Sequence, residues 1–143
     1  MKSILFTTAL EAEAAFYEAL EKADLEAMMA VWADDDDIVC VHPGGERLAG
    51  VVEVRESWRQ IFSHTQTLRF RLRHQQAING MTLVVRSVYE YISLAGEARP
   101  RAPVVATNVY LHTERGWRMV VHHASAAPVS QAQEAKRAPK TLH

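Results

Sequence analysis

The sequence has little cysteine, no excess of charge and no long apolar run. Its single cysteine, Cys40, excludes a disulfide within the chain. Its 16 basic and 17 acidic side chains leave a formal net charge of −1, which supplies no field for steering nucleic acid or an anionic membrane. No segment is long enough to span a bilayer, and "MKSILFTTAL" runs directly into Glu11 and Glu13, which is not typical of an export signal. We therefore expect a cytoplasmic protein with no membrane or nucleic-acid partner.

Motifs for bound cofactors are also missing. The sequence contains no phosphate-binding glycine loop, no dinucleotide fingerprint and no HExxH or HxH pair. The acidic run Asp34–Asp37 lacks the alternating ligands, the glycine and the distal glutamate of a calcium loop. We therefore expect that any chemistry proceeds without a cofactor and without a metal.

The first part of the chain has helical periodicity. Apolar residues recur at intervals of three and four in three segments, as on the buried face of an amphipathic helix. Asp24 is expected to cap the second helix, and the acids from Asp34 to end it. "DIVCVH" is expected to form a short strand that turns at Pro43-Gly44-Gly45. The three apolar stripes are Phe16–Ala19–Leu20–Ala23, Leu25–Met28–Met29–Trp32 and Val54–Trp58–Ile61–Phe62.

From residue 67 the period changes to two, which predicts four long strands. They are "TLRFRLRH", "MTLVVRSVYEYISL", "PVVATNVYLHT" and "WRMVVHHAS", and the tripeptide Glu114–Gly116 is expected to join the last two in a hairpin. Helices followed by antiparallel strands predict an α+β fold: a cone-shaped, curved, mixed but mostly antiparallel sheet wrapped around three N-terminal helices. We expect one domain over residues 1–127 and a mobile tail over 128–143.

This order of elements resembles the nuclear transport factor 2-like superfamily and, within it, the SnoaL-like proteins. The resemblance covers about residues 8–127 and rests on "VWADDDDIVCVHPGG", the helix after "LAG" and the four long strands. It implies the cone fold of ketosteroid isomerase, in which an Asp before a Pro at the end of this strand is the general base. His42, directly before Pro43, stands at that position.

The resemblance also indicates where the chain departs from those isomerases. Their oxyanion hole uses a tyrosine on the first helix and a protonated aspartate on the third long strand. The corresponding positions are Phe16, which has no hydroxyl, and Asn108, whose amide can still donate. Losing one such donor costs about 2.7–4 kcal/mol of transition-state stabilisation, so the same reaction is disfavoured.

Strand parity combined with the resemblance predicts a mostly apolar pocket with few polar groups. His42 and Asn108 are the candidate catalytic residues. The candidate ligand-binding residues are Phe16, Trp58, Tyr89, Tyr110, His123 and Ser125.

Three functions remain open. The first is a small-molecule-binding domain whose ligand is apolar or partly polar. The second is a cofactor-independent isomerase, cyclase or dehydratase in which His42 abstracts a proton and Asn108 holds the enolate oxygen. The third is a dimerisation or scaffold module.

Three side-chain patterns have a structural interpretation beside the functional one. His42 could instead be a core histidine whose ring hydrogen-bonds a backbone carbonyl near the turn. Cys40 could act as a nucleophile beside His42, but we expect it to be an inert core residue. Arg69, Arg71 and Arg73 form an outward stripe without an aromatic partner, since Phe70 points inward. Val84 and Val88 are expected on the outer face, where they favour a homodimer.

Overall fold

The fold is seen in a computed structural model that describes residues 5–64, 67–94 and 102–128. Within these residues lie the helices α1 (Ala9–Lys22), α2 (Leu25–Val31) and α3 (Gly50–Ser63). The strands are β1 (Val39–Val41), β2 (Leu48–Ala49), β3 (Leu68–Asn79), β4 (Leu83–Leu94), β5 (Val104–Thr113) and β6 (Gly116–Ala126).

The first two helices begin and end at local capping signals. Thr8 caps α1 by accepting a hydrogen bond from the Glu11 backbone N–H at 3.0 Å. Ala23 ends α1 in the left-handed conformation, with φ at 51°. Asp24 caps α2 as predicted, because its carboxylate accepts from the Ala27 N–H at 3.0 Å.

The strands form one sheet in the order β2-β1-β6-β5-β4-β3. β1 and β6 are parallel, and the other neighbouring pairs are antiparallel. The α+β cone of the predicted class is confirmed: α1 packs against the sheet, and the core lies between them. Neither the described helices nor any stretch within them is long and apolar enough to cross a membrane.

The turn between β5 and β6 depends on a glycine. Thr113 pairs with Gly116, which leaves Glu114 and Arg115 as the predicted tight turn. Gly116 has φ at 84°, and a Cβ added there would lie 2.5 Å from the backbone oxygen of Phe6. Both the backbone conformation and the close approach of the chain therefore require glycine at this position.

The predicted orientation of β4 is wrong. Val84 and Val88 are buried and face the helices, together with Arg86 and Glu90, while Tyr89 lies on the outer face. The prediction had placed Tyr89 inside the cone and Val84 and Val88 on the outer face. Arg86 and Glu90 lie inside because α1 supplies polar partners for them, which the pattern of a single strand does not reveal.

The predicted orientation of β6 is wrong in its second half. Val109 pairs with Val121 and Tyr110 pairs with Met119, so that one extra residue of β6 bulges out between the pairs. Beyond this bulge the parity is reversed. His122 is therefore the buried histidine, whereas His123 and Ser125 are exposed.

Residues 129–143 lie outside the described residues, so the predicted tail over 128–143 and the boundary at 127 stay predictions.

Candidate functional site

Polar side chains from α1, β4, β5 and β6 meet inside the cone. Each is buried, and each is hydrogen-bonded to at least one other member of the group. We call this group the interior cluster; it consists of Glu13, Tyr17, Arg86, Glu90, Asn108, Tyr110 and His122.

The carboxylate of Glu13 binds side chains from two strands, β4 and β5. It forms an ion pair with Arg86, with 2.8 Å between Oε1 and the guanidinium nitrogens Nε and Nη2. Its other oxygen accepts from the Tyr110 hydroxyl at 3.0 Å and from the Asn108 amide at 3.3 Å. Burial of an ion pair is costly unless such additional bonds satisfy the charges, and here they do.

Tyr17 connects Glu13's neighbours to Glu90. Its hydroxyl donates to Glu90 Oε2 at 2.6 Å and accepts from Asn108 Nδ2 at 3.0 Å. Burial raises the pKa of the Glu90 carboxyl to about 7, although the bond from Tyr17 opposes the increase. Among the described residues, no group hydrogen-bonds the second oxygen of Glu90, Oε1.

Asn108 and His122 fix each other's orientation. Because Asn108 uses its NH₂ group toward Tyr17 and Glu13, its Oδ1 is the acceptor for His122 Nδ1–H, at 2.6 Å. Burial, with smaller contributions from His42 and His123, lowers the pKa of His122 to about 3. His122 is therefore a neutral imidazole that donates from Nδ1.

A bulge in β3 brings a further polar group to the cluster. The pairing of β3 with β4 shifts between Arg73 and Gln76, and His74 has a positive φ of 52°. Within this bulge Gln75 turns its Oε1 toward Arg86, which donates to it. Bulges that redirect a side chain in this way are common beside functional sites.

His42 lies at the end of β1, half-buried against Trp58, with 4.7 Å between the ring centroids. The Ser57 hydroxyl donates to the Val54 carbonyl, so the bond of 3.0 Å between Ser57 and His42 runs from His42 Nε2–H. Burial lowers the pKa of His42, which keeps the ring neutral at neutral pH.

Cys40 lies close to His42, with 3.6 Å between Sγ and Nε2. Burial nevertheless raises the pKa of the Cys40 thiol to about 12, so the thiolate needed for nucleophilic attack does not form at neutral pH.

The two candidate catalytic residues are connected indirectly. His42 packs on Trp58, whose ring centroid is 6.1 Å from that of His122, and His122 bonds Asn108. The surroundings of Asn108 are polar, contrary to the predicted apolar lining. Whether either residue is catalytic stays a prediction.

The candidate ligand-binding residues separate into two groups. Phe16, Trp58 and Tyr110 are buried inside the cone. Tyr89, His123 and Ser125 lie on the outer face or are exposed, so their predicted position in the interior is wrong, for the reasons of strand parity given above.

Sequence reasoning missed five members of the interior cluster: Glu13, Tyr17, Arg86, Glu90 and His122. A signal for two of them was available. Glu13 and Tyr17 share the helical stripe of Phe16 and Leu20, and a carboxylate on a core-facing stripe indicates a buried polar partner.

A separate groove of about 970 Å³ lies between α2 and the β5–β6 turn. Its lining includes Met29, Trp32, Asp35, Leu111 and Arg118 and contains none of the predicted site residues.

The fold and the interior cluster define an α+β cone with a polar interior, and the comparisons with known proteins give its family. The chain belongs to the SnoaL-like domain family, whose profile matches residues 10–130. The recognition of the nuclear transport factor 2-like superfamily from the sequence is thereby confirmed.

Two solved structures are similar over most of their length. One, from Thiobacillus denitrificans, is described as a proposed calcium/calmodulin-dependent protein kinase type II association domain; it is 40% identical, with a TM-score of 0.84 over 87% of this chain and 99% of that one. The other, from Streptomyces avermitilis, is described as a proposed dehydratase of the NTF2-like family; it is 33% identical, with a TM-score of 0.73 over 82% of this chain and 91% of that one.

A curated relative, the F-box protein SKIP8 of Arabidopsis thaliana, is 28% identical over 120 residues. The match covers 82% of this chain but 49% of that protein, so the chain spans about half the length of this relative.

Proposed function

We propose that the chain binds a small organic molecule inside the cone, and that an oxygen of this molecule accepts a hydrogen bond from Glu90. The observation that carries the proposal is the Glu90 carboxyl itself. It is buried, Tyr17 bonds one of its oxygens, and the other oxygen has no hydrogen-bond partner among the described residues. A polar group of a ligand would satisfy that oxygen.

The energetic cost of the interior cluster supports a functional role. Replacing a buried ion pair by apolar side chains of similar volume is often neutral or stabilising, so Glu13 and Arg86 are poor contributors to stability alone. Buried titratable groups with shifted pKa values are more frequent at functional sites. Apolar side chains such as Phe16 and Val88 are buried in the same core, which suits a ligand with an apolar body.

Glu90 also gives the site a group for acid–base chemistry. With a pKa of about 7, its carboxyl both donates and accepts protons readily at neutral pH. The similarity to a proposed dehydratase makes such chemistry the natural extension of binding. In this proposal Glu90 moves the proton, Tyr17 holds the Glu90 carboxyl in place, and Asn108 holds the Tyr17 hydroxyl.

The test compares two probes of matched shape: α-tetralone, which carries a carbonyl, and tetralin, which does not. Isothermal titration at pH 6, where Glu90 is protonated, should show α-tetralone bound roughly 3–10-fold more tightly, as expected for one hydrogen bond. The preference should decrease at pH 8, because an ionised carboxyl no longer donates.

Two variants sharpen this test. Glu90→Gln keeps a donor that does not titrate, so the preference for α-tetralone should remain and become independent of pH. Glu90→Leu should remove the preference. Equal affinity of wild type and Glu90→Leu for α-tetralone would exclude Glu90 as the binding group.

A second candidate function, association with a further copy of the chain, has a separate observation in its favour. Five β-branched apolar side chains form a row across the outer face of the sheet, because each pairs with the next across neighbouring strands. The similarity to a proposed association domain agrees with this function. We call these residues the apolar row: Ile78, Val85, Val109, Val121 and Val39.

The predicted homodimer therefore stays a proposal, with the apolar row in place of Val84 and Val88. Sedimentation equilibrium at micromolar concentration should show a dimer that Val109→Glu dissociates. Val52→Glu, at a position of α3 that is 82% exposed, is the matched control and should leave the dimer intact. A wild-type protein that is monomeric at this concentration would contradict the proposal.

A further inference from the structure

The outer face of β3 and β4 carries arginine and tyrosine side chains side by side. Arg71 lies directly opposite Tyr91 in the antiparallel ladder, and Arg73 lies directly opposite Tyr89. Residues directly opposite each other in such a pair share a face of the sheet. Arg69 continues the same side of β3 by two residues, so three guanidinium groups follow the strand at intervals of about 6–7 Å.

These arginines are free to bind an anion. All three are exposed, and within the described part of the chain none forms a hydrogen bond or an ion pair with a side chain. Apart from the three arginines, the described outward positions of β3 and β4 hold uncharged residues, Gln76 and Ile78 among them. They hold no carboxylate, because the one acid of β4, Glu90, faces inward. The surface is therefore locally positive although the chain as a whole is nearly neutral.

The tyrosines add flat aromatic surface beside the charges. Tyr89 and Tyr91 are half-buried, and His74 lies edge-on to Tyr89 with 5.2 Å between the ring centroids. The hydroxyl oxygen of Tyr91 is shielded from solvent and has no hydrogen-bond partner among the described residues. An aromatic ring opposite two of the three arginines, Arg71 and Arg73, is what a stacked base beside its phosphate requires.

We propose that this surface, which we call the Arg–Tyr stripe (Arg69, Arg71, Arg73, Tyr89 and Tyr91), binds single-stranded nucleic acid. The phosphates lie along the arginines and the bases stack on the tyrosines. This reverses the expectation of no nucleic-acid partner, which depended on the net charge of −1 and on an arginine stripe without an aromatic partner. An acidic polypeptide would also neutralise the arginines, but it has no rings to stack on the tyrosines.

The Arg–Tyr stripe does not overlap the other two proposed sites. It lies on the face of the sheet opposite the interior cluster. The two surfaces are nearest on β4, where Tyr89 and Val85 are four residues, or about 13 Å, apart. The two proposals therefore involve different residues of the same face of the sheet.

The experiment is fluorescence anisotropy of a labelled ten-nucleotide oligothymidylate with the full chain, from 50 to 200 mM salt. Binding should weaken with salt at a slope of about −2 in log–log form, as expected for three phosphate contacts on a single strand. Arg71→Gln/Arg73→Gln should reduce the slope to about −0.7. The matched control is Arg55→Gln/Arg59→Gln, which removes two exposed arginines from α3 and should leave the slope unchanged.

Tyr89→Leu tests the stacking, because leucine keeps an apolar side chain but has no ring; it should weaken binding about fivefold or more. Binding that is equal in wild type and the double arginine variant would overturn the proposal. So would displacement of the bound oligonucleotide by polyglutamate at lower concentrations than unlabelled oligothymidylate needs, which would identify an acidic polypeptide as the ligand.

Discussion

Tyr17 donates its hydroxyl hydrogen to Glu90 across 2.6 Å and thereby joins the first helix to the fourth strand inside the cone. Both residues are buried, and the Tyr17 hydroxyl also accepts a hydrogen bond from Asn108. This contact holds a carboxyl of raised pKa inside the cone.

The first prediction concerns the dependence of stability on pH. The pKa of Glu90 is about 7 in the folded chain against an ordinary value of 4.5. The folded state therefore binds the proton more tightly, and the stability this contributes is complete below pH 4.5 and lost as the pH rises through 7. The difference in unfolding free energy between wild type and Glu90→Gln should fall by about 1.4 kcal/mol per pH unit over this range.

Urea denaturation at several pH values measures this difference. Glu18→Gln, which removes an exposed carboxylate from α1, is the control. A difference that rises with pH would mean that Glu90 is ionised in the folded chain at pH 6.

The second prediction concerns His122. Because its pKa is about 3 in the folded chain, its ring should stay neutral on acidification. The stability that depends on this neutral ring is present above pH 6.5 and is lost as the pH falls toward 3. In NMR titrations the ring resonances of His122 should not move between pH 8 and 4, and those of His42 should move below pH 6.5. An inflection for His122 near pH 6.5 would be inconsistent with its burial against Asn108.

The third prediction concerns the ion pair of Glu13 and Arg86. Arg86→Met should cost about 3–5 kcal/mol, because it leaves the Glu13 carboxylate buried without its cation. Adding Glu13→Met should recover part of this loss, although Tyr110 and Asn108 then lose an acceptor. A double-mutant cycle by urea denaturation should therefore show strong coupling.

The exposed pair of Glu26 and Arg55, converted to methionine in the same way, is the control and should show little coupling. Additive effects of the two substitutions at Glu13 and Arg86 would contradict the ion pair.

The fourth prediction compares two glycines of positive φ. Gly44→Ala should cost roughly 1–2 kcal/mol, since nothing lies within 4 Å of the added Cβ and only the backbone conformation is unfavourable. Gly116→Ala should cost more, because its Cβ would also meet the Phe6 carbonyl oxygen. Equal losses in thermal denaturation would show that the N-terminal segment does not pack against the turn.

The fold could be predicted because its signals are local. The caps at Asp24 and the change of period near residue 67 both depend on neighbouring residues only. The direction in which each strand faces depends on distant partners. Arg86 and Glu90 face inward because α1 carries Glu13 and Tyr17, some 73 residues away in each case.

The candidate site could be predicted only where the strand parity was unbroken. Asn108 and Tyr110 were placed correctly inside the cone because β5 keeps its period across them. His122 was exchanged with His123 because one bulged residue in β6 reverses the alternation. No feature of the sequence around Val120 signals this bulge.

The most direct test of the interior site is the ¹³C resonance of α-tetralone labelled at its carbonyl, measured with excess protein at pH 6 and pH 8. A hydrogen bond from protonated Glu90 predicts a downfield shift at pH 6 that decreases at pH 8 in the wild type and is the same at both values in Glu90→Gln. A carbonyl resonance that stays at its free position, or a shift that Glu90→Leu leaves unchanged, would contradict the account.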